Sequence, residues 1–174
     1  MEIDLKTDLN AGGCAVCNHM EDAAFAYFSQ LQYGLSHEGQ MRETFAEEGG
    51  LCRFHTWQLA AFSSRRGLAK GLAPLLSRLA DELIRITENG FQEGSDRMVK
   101  EKGDADCRVC GMLYREEAAY VSRLSAFMNR EEDVSLYGAS RGICLRHLGL
   151  LVKSVPRETA GVLLRDAARR FREM

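Results

Sequence analysis

Cys14-Ala-Val-Cys-Asn-His-Met-Glu-Asp-Ala-Ala-Phe-Ala-Tyr-Phe-Ser-Gln-Leu31 is the stretch whose pattern settles the fold class. Its apolar positions are Met20, Ala23, Ala24, Tyr27, Phe28 and Leu31, the spacing of one face of a helix. It also opens with two cysteines three positions apart. The stretch returns as Cys107-Arg-Val-Cys-Gly-Met-Leu-Tyr-Arg-Glu-Glu-Ala-Ala-Tyr-Val-Ser-Arg-Leu124. At an offset of 93, Ala26, Tyr27, Ser29 and Leu31 correspond to Ala119, Tyr120, Ser122 and Leu124. The chain therefore reads as helical, and it reads so twice.

Each copy of this stretch is followed by a second motif. A gap of 34 residues separates Cys17 from Cys52-Arg-Phe-His55, and a gap of 33 separates Cys110 from Cys144-Leu-Arg-His147. At an offset of 92, Phe45 matches Tyr137, Gly50 matches Gly142, Leu51 matches Ile143 and Leu59 matches Leu151. The chain has only 4 histidines in 174 residues, so a match at both motif ends argues for duplication over coincidence. All 6 cysteines fall in these motifs.

The remaining elements follow the same order in both copies. A short helix is expected over Gln40 to Glu48, stopped by Gly49-Gly50. Another follows Cys52, and the stripe Leu68, Leu72, Leu75, Leu76, Leu79, Leu83 marks a long fourth, which Pro74 should start or kink. The second copy predicts a helix from about Cys107 to Asn129, a short segment ending at Gly142 and a helix near Cys144. A last one, with the face Ala160, Leu163, Leu164, Ala167, Ala168 and Phe171, follows Pro156. No stretch shows the period-two alternation of strands. The expectation is an all-α protein of about eight helices in two pseudo-twofold-related halves that form one compact unit. Residues 1–13 read as a polar N-terminal lead, 14–90 as a first metal-binding repeat, 91–106 as a linker and 107–174 as a second repeat.

Composition excludes several classes. Hydrophobic residues make up 45% and charged residues 28%, values of an ordinary globular chain. A formal net charge of −2 gives no strong nucleic-acid signal. No apolar run approaches the roughly 20 residues that span a bilayer, and no signal peptide is legible, so the chain reads as cytoplasmic. The sequence holds no H-E-x-x-H, phosphate-cradling glycine loop or supported Ser/His/Asp set, and it leans away from an enzyme.

The chemistry lies in Cys14, Cys17, Cys52, His55, Cys107, Cys110, Cys144 and His147. Two cysteines three apart at a helix start reach one ion, and the free N–H groups and positive end of the helix stabilise thiolates. In each copy C-x2-C and C-x2-H supply three sulfurs and one nitrogen, a closed tetrahedral zinc pattern with no position left for water. The expected cofactor is zinc, two ions per chain, with two iron–sulfur clusters as the alternative. The quartet forms within each copy, or by exchange of the C-x2-H pairs between copies. Disulfides disagree with a cytoplasmic chain and with the matched histidines. A thioredoxin-like motif lacks its βαβ setting, and covalent haem would need His where Asn18 stands. Two other histidines, His19 and His37, have no counterparts and read as exposed. Trp57, Phe25, Tyr27, Phe28, Tyr114 and Tyr120 read as core. The tail Arg165, Arg169, Arg170 and Arg172, interleaved with Asp166 and Glu173, reads as a solvated face.

The segment Met41-Arg-Glu-Thr-Phe-Ala-Glu-Glu-Gly-Gly-Leu-Cys52-Arg-Phe-His55, with Arg66-Gly-Leu-Ala69 after it and the second copy at Gly142-Ile-Cys144-x2-His147, resembles a known pattern. It is similar to an uncharacterised bacterial protein family with duplicated C-x2-C and G-x-C-x2-H metal-binding motifs. That resemblance implies a bacterial source and metal binding, and it carries no activity. The expected function is a zinc-stabilised helical module that binds another protein. A thiol redox or metal sensor and an iron–sulfur electron carrier are the alternatives.

Overall fold

The structure, a computed structural model, describes residues 4–89 and 106–173. Among the described residues it is all α, with no strand. The helices are α1 (Leu5–Asn10), α2 (Ala15–His37), α3 (Gly39–Glu47), α4 (Arg53–Phe62), α5 (Arg65–Asn89), α6 (Arg108–Phe127), α7 (Glu131–Ala139), α8 (Leu145–Leu151) and α9 (Arg157–Glu173). The eight expected helices are present, and α1 is an addition inside the lead. Asp4 caps α1, its carboxylate accepting from the backbone N–H groups of Lys6 and Thr7. The linker expected at 91–106 lies outside the described residues except for Asp106. None of the described helices is long and apolar enough to cross a membrane.

The chain divides into two compact units, Met1–Ala23 with Leu113–Met174, and Ala24–Met112. These units cut across the sequence copies. Helix α2 gives its first turns to one unit and the rest to the other, and α6 does the reverse.

In the first unit, Tyr120 and Leu124 of α6, Leu151 of α8 and Leu163 of α9 are fully buried together with Val16. The Tyr120 hydroxyl donates to Asp8 at 2.8 Å, which ties α1 to α6. Burial, then this carboxylate, raises the Tyr120 phenol above its ordinary value. Arg170 of α9 donates to the carbonyls of Tyr137, Gly138 and Ser140, filling acceptors left open at the end of α7. Asp166 holds that guanidinium at 2.7 Å.

In the second unit, Phe28 and Leu35 of α2, Phe45 of α3 and Leu59 of α4 are buried. Gly71 lets α5 approach closely, because a Cβ there would stand 2.9 Å from Cβ of Leu35. Helix α3 ends as its glycines predict. Gly50 N–H bonds the Phe45 carbonyl and Gly49 N–H that of Ala46, with φ of +74° and +72°. Pro74 neither starts α5 nor ends it. The ring removes the N–H that would bond the carbonyl of Lys70, and Lys70 is exposed, where water can replace the lost donor.

Several sequence expectations need correction. Trp57 is 73% exposed, Phe25 58% and Tyr114 53%, so these three are surface residues, whereas Phe28 and Tyr120 are core. Apolar character fixed their helices but not the direction in which each face points. The stripe on α5 is likewise half open, with Leu76, Leu79 and Leu83 exposed. His19 is buried, not exposed: its Nε2 lies 3.1 Å from Glu116 and its ring packs on Tyr120. A carboxylate and an aromatic face make burial of an imidazole tolerable. His37 is exposed as expected, its Nδ1 on the Tyr33 carbonyl.

Candidate metal centres

Four helix starts carry the eight motif residues. Cys52 and Cys144 are the N-cap residues of α4 and α8, each with extended backbone at φ −63° and −67°. Two residues before each stands a glycine with positive φ, Gly50 at +74° and Gly142 at +76°. An L side chain rarely adopts that backbone, so glycine is what turns the chain into the capping cysteine. His55 and His147 follow three residues later, in the first helical turn and on the same side as the cap. Cys14 and Cys107 stand just before α2 and α6, each carbonyl accepting the first helical N–H. Cys17 and Cys110 lie one turn in.

The eight residues gather as two donor sets able to hold a metal ion, Cys14/Cys17/Cys144/His147 and Cys52/His55/Cys107/Cys110. Within each, one donor atom per residue lies within 4.8 Å of all the others. The C-x2-H pairs are thus exchanged between the copies, and each set falls inside one compact unit. Helix length explains the exchange. With 23 residues at about 1.5 Å each, α2 spans about 34 Å from Ala15 to His37, whereas the 9-residue α3 spans only about 14 Å. Cys52 therefore stops short of the start of its own copy's first helix. The same holds for α6, with 20 residues, and α7, with 9.

In the first set, Nδ1 of His147 lies 3.3 Å from Sγ of Cys14, 3.5 Å from Cys17 and 3.2 Å from Cys144, and the Cys17 and Cys144 sulfurs are 3.9 Å apart. In the second, Nδ1 of His55 lies 3.2 Å from Cys52, 3.5 Å from Cys107 and 3.3 Å from Cys110, with the Cys52 and Cys110 sulfurs 3.9 Å apart. Both imidazoles turn the same nitrogen inward. All six thiols are free of disulfides.

Three thiols this close cannot all ionise without a cation among them. Burial, then the neighbouring Cys14 and Cys144, pushes the Cys17 thiol up to about 12. The same causes, burial and then Cys107 and Cys52, raise Cys110. One thiol in each set moves the other way. Burial alone would raise Cys107 and Cys144, but backbone groups at the helix starts and the neighbouring thiols outweigh it and lower both. The thiol lowered in each set is thus one that stands at a helix start.

The surroundings of the two sets differ. Nε2 of His147 lies 3.0 Å from Oε1 of Glu117, which also accepts from Arg146 at 3.0 Å. Arg146 first, then His147, holds the Glu117 carboxyl below its ordinary value. A carboxylate on the far nitrogen fixes the tautomer and aims Nδ1 at the sulfurs. The His55 ring packs edge-on to Phe54 at 5.2 Å and near the buried Phe28 at 6.2 Å. Glu117 was not singled out from the sequence. At the offset of 93 its counterpart is Ala24, so the repeat gives no signal for it. No protein-family model, curated protein or solved structure matches this chain.

Proposed function

We propose that this chain is a zinc protein with two single-ion centres, each of three thiolates and one imidazole Nδ1, serving as a rigid helical module that binds another protein. The donor spacing carries the reading. A tetrahedral zinc with bonds of about 2.3 Å to sulfur and 2.0–2.1 Å to nitrogen spaces its donors about 3.8 Å sulfur to sulfur and about 3.5 Å sulfur to nitrogen. Separations of 3.9 Å and 3.2–3.5 Å fit that tetrahedron. An iron–sulfur cluster interposes several irons and sulfides, so its thiolates would stand farther apart than one tetrahedral edge. Four protein donors leave no open position, which favours a structural role over a catalytic one. Free thiols fit a reducing compartment such as the cytoplasm. The duplicated motifs support a place in the bacterial family they resemble. On α4, Phe54 and Trp57 are three apart and 66% and 73% exposed, beside the histidine that the second centre would fix. That pair supports the protein-binding part of the reading.

Elemental analysis with a visible spectrum, on protein purified without added metal, tests it. Two zinc ions per chain and no colour are expected. Iron with sulfide and visible absorption would replace zinc by clusters, and metal-free protein that stays folded would remove the centres altogether.

A further inference from the structure

The two donor sets have the same chemistry and unequal access. Cys52, Cys107 and Cys110 are 5%, 1% and 8% exposed, whereas Cys14, Cys17 and Cys144 are only half-buried. An ion held by thiolates is lost when an entering donor reaches it, so solvent at the sulfurs sets the rate of exchange. The histidines are equally buried, each 4% exposed, but differ in what surrounds them. His55 is boxed by Phe28 and Phe54. His147 is aimed by Glu117, and Glu117 forms one wall of an open cleft of about 420 Å³ shared with Val121, Ser122, Ser125, Leu150 and Lys153. Lys153 adds a cation to that cleft.

We infer that Cys14/Cys17/Cys144/His147 is an exchangeable metal site, giving and taking its ion by ligand exchange with small chelators that reach its half-buried sulfurs. Cys52/His55/Cys107/Cys110 is the permanent one. The inference rests on the zinc reading above and assigns the two ions different roles. Glu117 is a positioning residue for the exchangeable ion alone.

Zinc-loaded full-length protein mixed with the chromogenic chelator pyridylazoresorcinol should release one ion in a fast phase and the other at least about tenfold more slowly, and Glu117→Gln should speed the fast phase by about tenfold and leave the slow phase unchanged. Cys144→Ser should be purified with one zinc that leaves in the slow phase. Release of both ions in one phase, or a Glu117→Gln effect on the slow phase or on neither, overturns the inference while the zinc reading stands. Protein without zinc overturns both.

Discussion

Cys52 and Cys144 occupy a position where Ser, Thr, Asp or Asn would turn its side chain back to bond a helix N–H. Neither thiol makes that bond; both point to sulfurs and an imidazole instead. Each helix start therefore forgoes capping worth about 1 kcal/mol. Cys52→Ser should accordingly have opposite effects in the two metal states. In chelator-treated protein the hydroxyl restores a cap, and stability should rise or hold within about 1 kcal/mol. In zinc-loaded protein a ligand is lost, and stability should fall by more than about 3 kcal/mol. Urea melts of both states check this, with His37→Ala, on an exposed residue, as a near-silent control. The residues that gather into the two donor sets were legible at this scale because metal geometry demands particular residues at particular spacings. The environment of His19 was not: its partner, Glu116, lies 97 positions away, and no local pattern announces it.

Helices were legible from periodicity, and their stops from glycine. What faces outward was not, because Trp57 on α4 and Leu76 on α5 lie on apolar positions that no packed neighbour covers in the described residues. The basic tail illustrates the same limit. Arg169 is paired on the surface, as a solvated face predicts, but the neighbouring Arg170 reaches back to close the end of α7. Asp166 orients both. Burial alone would raise its carboxyl, yet hydrogen bonds from Arg169 and Arg170 outweigh it and hold the group below its ordinary value of 3.8. A depressed carboxyl contributes stability that is present above the unfolded value and is lost as the pH falls through the folded one. Asp166→Asn should therefore cost about 1 kcal/mol at neutral pH. The gap to the wild type should close as the pH drops below 3.8 in a series of urea melts.

For the whole molecule, the decisive fact is which copy supplies which pair. Motif counting gives eight ligands and cannot distribute them, since either pairing yields three sulfurs and one nitrogen. The lengths of α2 and α6 do distribute them, although the sequence reading did not use that information. A double substitution separates the two arrangements. With exchange between copies, Cys14→Ser with Cys144→Ser spoils one centre and should leave one zinc per chain. Cys14→Ser with Cys52→Ser spoils both and should leave none. Quartets formed within a copy would give the reverse counts in elemental analysis.

The exchange also makes one centre nest inside the other along the chain. The donors of the buried set are 52 to 58 positions apart across their two motifs, and those of the half-exposed set, which bracket them, 127 to 133. A chain emerging from its N-terminus completes the inner donor set at Cys110 and the outer one only at His147. On the zinc reading proposed above, the inner ion would be captured first and would shorten the loop the second must close, a saving of roughly 0.5 kcal/mol. On that reading assembly and disassembly would run on one track: the last ion in would be the first ion out, and the outer ion could come and go while the inner loop stays tied.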